Sequence, residues 1–100
     1  MKIIPRPGKV YVRLDRVDEM RKGSIIIPGM HSEPARIGTI MAVGASTPSM
    51  STDGLKEGML FACGYNAGEV LNSPRFDFGD DGPEMHRIIS PLEIWCMIEE

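Results

Sequence analysis

Val10-Tyr11-Val12-Arg13-Leu14-Asp15 alternates apolar and polar side chains with a period of two, the pattern of a β-strand with one buried face. Val10, Val12 and Leu14 are expected to point inward. Downstream, Arg36-Ile37-Gly38-Thr39-Ile40-Met41-Ala42-Val43-Gly44 is rich in β-branched residues and closed by glycine, which predicts a second strand with Gly38 at a bulge or a close backbone approach. Gly58 to Cys63, Glu69 to Leu71, Met85 to Ile89 and Ile94 to Ile98 are further short runs bounded by Gly, Pro, Asn, Asp or Ser. Short strands with frequent turn signals predict an all-β chain folded as a small β-barrel.

Eight prolines and eleven glycines interrupt every window long enough for a stable helix. Ser90-Pro91-Leu92-Glu93 is the exception, with a capping serine, proline at the first helical position and glutamate three residues after the serine. A single helical turn before the last strand is expected there. Ala45 to Gly54, rich in Ser, Thr and Pro, and Asn72 to Glu84, which carries Asp77, Asp80, Asp81 and Glu84, are expected to be loops.

One hundred residues make a single domain, 1–100, large enough for a modest core. With 42% apolar and 25% charged residues the chain lies in the globular range. A net charge of -3 provides no basic field for a phosphate backbone or an acidic lipid surface, so neither nucleic acid nor membrane is expected as a partner. The apolar runs fall far short of the ~20 residues of a membrane helix. Pro5 and Pro7 break the stretch that a secretory signal would need after Lys2, so a cytoplasmic chain maturing from Met1 is expected. Cys63 and Cys96 each sit in an apolar run and are expected to be reduced core thiols.

Chemistry-bearing patterns are thin. His31, His86, Cys63 and Cys96 could ligate zinc, yet no two lie at a recognisable metal-site spacing, and exposed or loop histidines with buried thiols are the plainer reading. Asp77-Phe78-Gly79-Asp80-Asp81-Gly82 invites a calcium loop, but Gly79 stands where an oxygen ligand is needed and Ile88 where the closing glutamate belongs. The crowded like charges favour a solvated, extended turn with no role in the core; the next reading is that Phe76 or Phe78 packs into the barrel. No nucleophile elbow, phosphate loop or dinucleotide fingerprint frames the Ser, His and Asp residues, so no enzyme and no cofactor are expected.

Arg21-Lys22-Gly23-Ser24-Ile25-Ile26-Ile27-Pro28-Gly29 is the odd stretch. Three successive isoleucines usually mark a buried strand. Here charge and Gly-Ser precede them and Pro-Gly stops them, which suggests an apolar tip on a flexible loop, and an apolar tip kept exposed is generally a binding element.

With these segments in order, the chain resembles the GroES co-chaperonin family along nearly its whole length. Lys2-Ile3-Ile4-Pro5 followed by Val10-Tyr11-Val12-Arg13 resembles the family's opening strand pair, Gly23 to Gly29 its mobile loop, and Gly38 to Gly44 the strand after it. Leu55 to Phe61 is similar to a further family segment, and Ile88 to Glu99 to the closing turn and strand. The resemblance implies a heptameric homo-oligomeric ring that caps a GroEL-type chaperonin when that partner has bound nucleotide, enclosing unfolded client proteins. It implies chaperonin contact by Ile25, Ile26 and Ile27, loop hinges at Gly23, Ser24 and Gly29 within a mobile loop of about 18–34, and a subunit seam at Ile3, Ile4, Ile94, Cys96 and Ile98. Compared with the family pattern, Ser24 replaces a glycine, the roof segment of about 45–54 is shortened, and the acidic loop of about 72–84 is added. Rival readings are a GroES-like module with another protein partner and a small metal- or cysteine-dependent enzyme.

Overall fold

The computed structural model describes residues 2–15, 35–71, 78, 79, 81 and 85–99. Within them the chain forms β1 (Val10–Leu14), β2 (Arg36–Val43), β3 (Leu60–Cys63), β4 (Glu69–Val70), β5 (His86–Ile89), a 3₁₀ turn at Pro91–Glu93 and β6 (Ile94–Ile98). The strands make one antiparallel sheet in the order β4-β5-β1-β2-β3-β6, so β4 and β6 are its two edges. The chain is all-β as expected, and each strand falls where its period-two or β-branched run predicted it. The third strand opens at Leu60 instead of Gly58, because Gly58 adopts a positive φ of 91° in the turn before it.

Alternation along β1 sends Val10, Val12 and Leu14 into the core, where they meet Ile40 of β2, Phe61 and Cys63 of β3, and Ile89 of β5. Fully burying each such aliphatic or aromatic side chain stabilises the fold by about 1.5–3 kcal/mol, so this cluster is its main cohesive element. Gly38 is a close-approach site, as expected: a Cβ there would stand 2.8 Å from both Leu14 Cδ2 and Phe61 Cζ. Glycine lets those two side chains meet across the strand.

Two register shifts re-aim side chains. Tyr11 pairs with Ala42 and Val12 with Ile40, leaving Met41 as an extra residue in β2. Likewise Ala62 pairs with Cys96 and Cys63 with Ile94, leaving Trp95 extra in β6. This second shift corrects the expectation of two core thiols. Cys63 is buried, but Cys96 is exposed, since the extra residue turns Trp95 and Cys96 outward while Ile94 and Met97 pack against the core.

Ala45 to Gly54 contains no strand and is held by hydrogen bonds of its own. Thr52 is buried, donates from Oγ1 to the Gly44 carbonyl at 2.7 Å, and donates its N–H to Ser46 Oγ at 2.8 Å. The turn before β6 carries the expected capping box, Leu92 N–H donating to Ser90 Oγ and Ser90 N–H donating to Glu93 Oε2 at 2.8 Å. The second oxygen of Glu93 accepts from Gly68 N at 3.0 Å and ties this turn to the approach to β4. Among the described residues no helix is long and apolar enough to cross a membrane.

Candidate functional site

The isoleucine triplet Ile25, Ile26 and Ile27, and Gly23, Ser24 and Gly29 beside it, lie outside the described residues. The base from which that segment springs is described. Asp15 N–H donates to the Ile37 carbonyl at 2.8 Å, directly beyond the Leu14 to Gly38 pair, so the chain leaves β1 and re-enters β2 at one point. Arg36 closes this base. It is 2% exposed, donates from Nη2 to the Asp15 carbonyl at 3.3 Å, and sets its guanidinium 5.3 Å from the centre of the Tyr65 ring.

The expected seam residues divide between opposite sides of the sheet. Ile3 and Ile4 run in a non-strand segment and, with Pro5, Leu71 and Ile88, line an apolar groove beside β4 and β5; Ile4 is 75% exposed. Ile94, Cys96 and Ile98 lie on β6 at the far edge, with Ile94 half-buried against the core and Trp95 exposed between them. A single chain does not bring the two groups together.

The other face of β1 carries a cluster that sequence reasoning missed. Tyr11 and Arg13 share that face, and Arg13 pairs with His86 of β5. The Tyr11 hydroxyl lies 2.7 Å from His86 Nδ1, and His86 Nε2 lies 2.8 Å from Asp81 Oδ2. Arg13 donates to both oxygens of that carboxylate, from Nε at 2.9 Å and Nη2 at 3.1 Å. The Phe78 ring stacks on the imidazole at 3.8 Å, with the two planes within 5°.

Two expectations are thereby corrected. Asp81 is not a solvated charge: the paired guanidinium of Arg13 holds its carboxyl down to about 2, with burial opposing and the His86 contact adding to the effect. His86 is no exposed or loop histidine but a strand residue 5% exposed, because Phe78 and Asp81 cover the face on which it stands. Phe78 does not pack into the core as the alternative reading had it: half-buried, it stacks on His86 over the outer face of β1 and leaves Tyr11 only 8% exposed on what the alternation predicted to be the solvent face, while Phe76 lies outside the described residues. Burial first, and the Asp81 charge second, push the Tyr11 hydroxyl above its ordinary pKa. The signal available in sequence was the period-two placement of Tyr11 with Arg13; nothing local marks a partner 75 residues away.

The thiols differ in kind. Burial pushes Cys63 up to about 11, with the Arg36 and Arg87 charges pulling the other way, so it is a protonated core group. Among the described residues no three His, Cys, Asp or Glu side chains converge as a metal site would require. No model of a known protein family and no curated protein matches the chain.

Proposed function

We propose that the chain is a co-chaperonin subunit of the GroES type: a small β-barrel, heptameric with its own copies, that caps a nucleotide-loaded GroEL-type chaperonin and closes unfolded clients inside. The anchored base of the 16–34 segment supports this reading most directly. Asp15, Ile37 and Arg36 fix both ends of the segment at one corner of the sheet, so its apolar triplet stands in a connection that returns to its own starting point. Such a tether suits a segment that orders on its partner. Burying an isoleucine contributes about 1.5–3 kcal/mol, while ordering backbone costs roughly 1–2 kcal/mol per residue, so one loop binds weakly and several on a ring bind by avidity.

The split seam is the second support. One edge offers the apolar Ile3 and Ile4 segment and the other the outer side of β6, which no described strand pairs, and this fits head-to-tail association of copies. The chain itself takes no cofactor in this reading, since nucleotide belongs to the chaperonin, and it works in the cytoplasm. The cysteine-enzyme rival is weakened by Cys63, whose raised pKa suits packing and not nucleophilic attack.

The test is capture of the chain by a GroEL-type chaperonin with and without ATP, for the parent and for Ile26→Asp. ATP-dependent capture is expected for the parent, and its severe loss for a variant that still folds and melts within a few degrees of it. Failure of the parent to bind under either condition leaves the GroES-like module with a different partner. Unfolding of Ile26→Asp would mean that the triplet is core.

A further inference from the structure

The groove beside β4 and β5 has a volume of about 490 Å³. Among the described residues its apolar wall is Ile3, Ile4, Pro5, Leu71 and Ile88, and its charged groups are Arg6 and Lys9, both cationic. No acidic side chain joins them: Glu69, opposite Ile88 in the β4 to β5 pairing, does not line the groove. The charge that the groove presents therefore has one sign.

The backbone holds the two cations together. Lys9 N–H donates to the Arg6 carbonyl at 3.0 Å, with Pro7 and Gly8 between them and a φ of 79° at Gly8, the arrangement of a type II turn. The first and last residues of such a turn have Cα atoms within about 7 Å of each other, so Arg6 and Lys9 stand as neighbours. The turn is itself pinned, Gly8 N–H donating to the Ala45 carbonyl at 2.8 Å and Gly44 N–H to the Lys9 carbonyl at 2.9 Å. Both side chains are exposed, and among the described residues no ion pair or side-chain hydrogen bond engages either one. In a chain of net charge -3, two unpaired cations on a fixed turn beside an apolar groove call for an anionic partner.

The geometry points to a binding site for a small amphiphile with an alkyl chain and an anionic oxygen head, the chain laid along Ile3, Ile4, Leu71 and Ile88 and the head shared by Arg6 and Lys9. The volume falls within the range of small-ligand sites, about 300–1,000 Å³. A carboxylate and a phosphate monoester offer the same acceptor oxygens to a guanidinium and an ammonium. An alkylamine would meet two like charges, and an alkanol would leave both cations uncompensated. This inference does not rest on the co-chaperonin reading; the two share Ile3 and Ile4, so a bound amphiphile and a neighbouring copy exclude each other there.

The experiment titrates the full chain, dilute and labelled with ¹³C at isoleucine and leucine methyls, with octanoate, octyl phosphate, octylammonium chloride and 1-octanol, each below the concentration at which it forms micelles. Saturable shifts at Ile3, Ile4, Leu71 and Ile88 are expected with octanoate or octyl phosphate, the tighter of the two naming the head group. Octylammonium and octanol should bind at least about tenfold more weakly, a difference near 1.4 kcal/mol. Butyrate should bind more weakly than octanoate, by about fourfold for each methylene withdrawn from the groove. Replacing both exposed cations, Arg6→Gln with Lys9→Gln, should weaken the two anions at least about tenfold and leave octanol unchanged, with thermal unfolding of the variant checked against the parent. Equal or tighter binding of octylammonium or octanol, no saturation by either anion, or anion binding indifferent to the double replacement overturns the proposal.

Discussion

Asp81 and Arg13 meet in a two-point contact, Oδ2 to Nε at 2.9 Å and Oδ1 to Nη2 at 3.1 Å, across 68 residues of chain. The pairing lowers the Asp81 pKa from 3.8 to about 2, so it contributes stability that is fully present above about pH 4 and is lost as pH falls through 2. Asp81→Asn should therefore cost on the order of 1–2 kcal/mol at pH 7, allowing for solvent screening. Urea unfolding of both proteins should show the gap closing between about pH 4 and pH 2. A gap independent of pH would show that the charge is not what the contact provides.

Glu93 serves two donors, Ser90 N and Gly68 N, while Ser90 Oγ serves one. Ser90→Ala is expected to cost about 1 kcal/mol, the usual worth of a cap. Glu93→Ala should cost more, because it also releases the approach to β4. Denaturant midpoints of the two variants check the order.

Gly44 admits no side chain. A Cβ there would overlap the Arg6 carbonyl oxygen and stand 2.8 Å from that of Lys9, both of them backbone atoms. The turn at residues 6–9, pinned by Gly8 N to Ala45 O at 2.8 Å and Gly44 N to Lys9 O at 2.9 Å, would have to move. Gly44→Ala should destabilise by about 1–3 kcal/mol, in the range of overpacked sites, whereas Gly54→Ala, with nothing within 4 Å of its Cβ, should lose only the strain of its positive φ.

Ile4 and Trp95 test the proposed ring. Ile4 is 75% exposed, so Ile4→Asp should change monomer stability by no more than about 0.5 kcal/mol, whereas Trp95, 36% exposed, should cost more on replacement by Asp, and the folding of that variant is checked first. Sedimentation should show rings for the parent and smaller species for each variant. Monomers of the parent at micromolar concentration would defeat the seam assignment.

The thiols give a chemical reading of the same surface. In native, dilute protein a thiol reagent should label Cys96 quickly and Cys63 only on unfolding, since one is exposed and the other buried with its pKa raised to about 11. If β6 is a seam, raising the protein concentration should slow the labelling of Cys96. Equal rates at both concentrations would place Cys96 away from any interface.

The strands were legible because Val10, Val12 and Leu14 and the β-branched run of β2 obey local periodicity, and the capping box because Ser90 and Glu93 lie three residues apart. The Tyr11, His86, Asp81 and Arg13 cluster was not, because it joins residues that only the neighbouring of β1 and β5 brings together. Asp81 among other acidic residues looked like solvated charge until Arg13 was placed opposite it. The outward turn of Cys96 depends on one extra residue in β6, a shift that hydrophobicity does not encode.

The sheet order has a consequence for a chain made from its amino end. β1 is completed on one side by β2 but on the other only by β5, and β3 waits for β6. Until residues 86–98 have emerged from the ribosome, the nascent chain presents two strand borders that none of the earlier described strands covers. Such borders are templates for pairing with other chains. Completion of the sheet therefore waits for residues 86–98, and these strands act as the closure that removes the hazard.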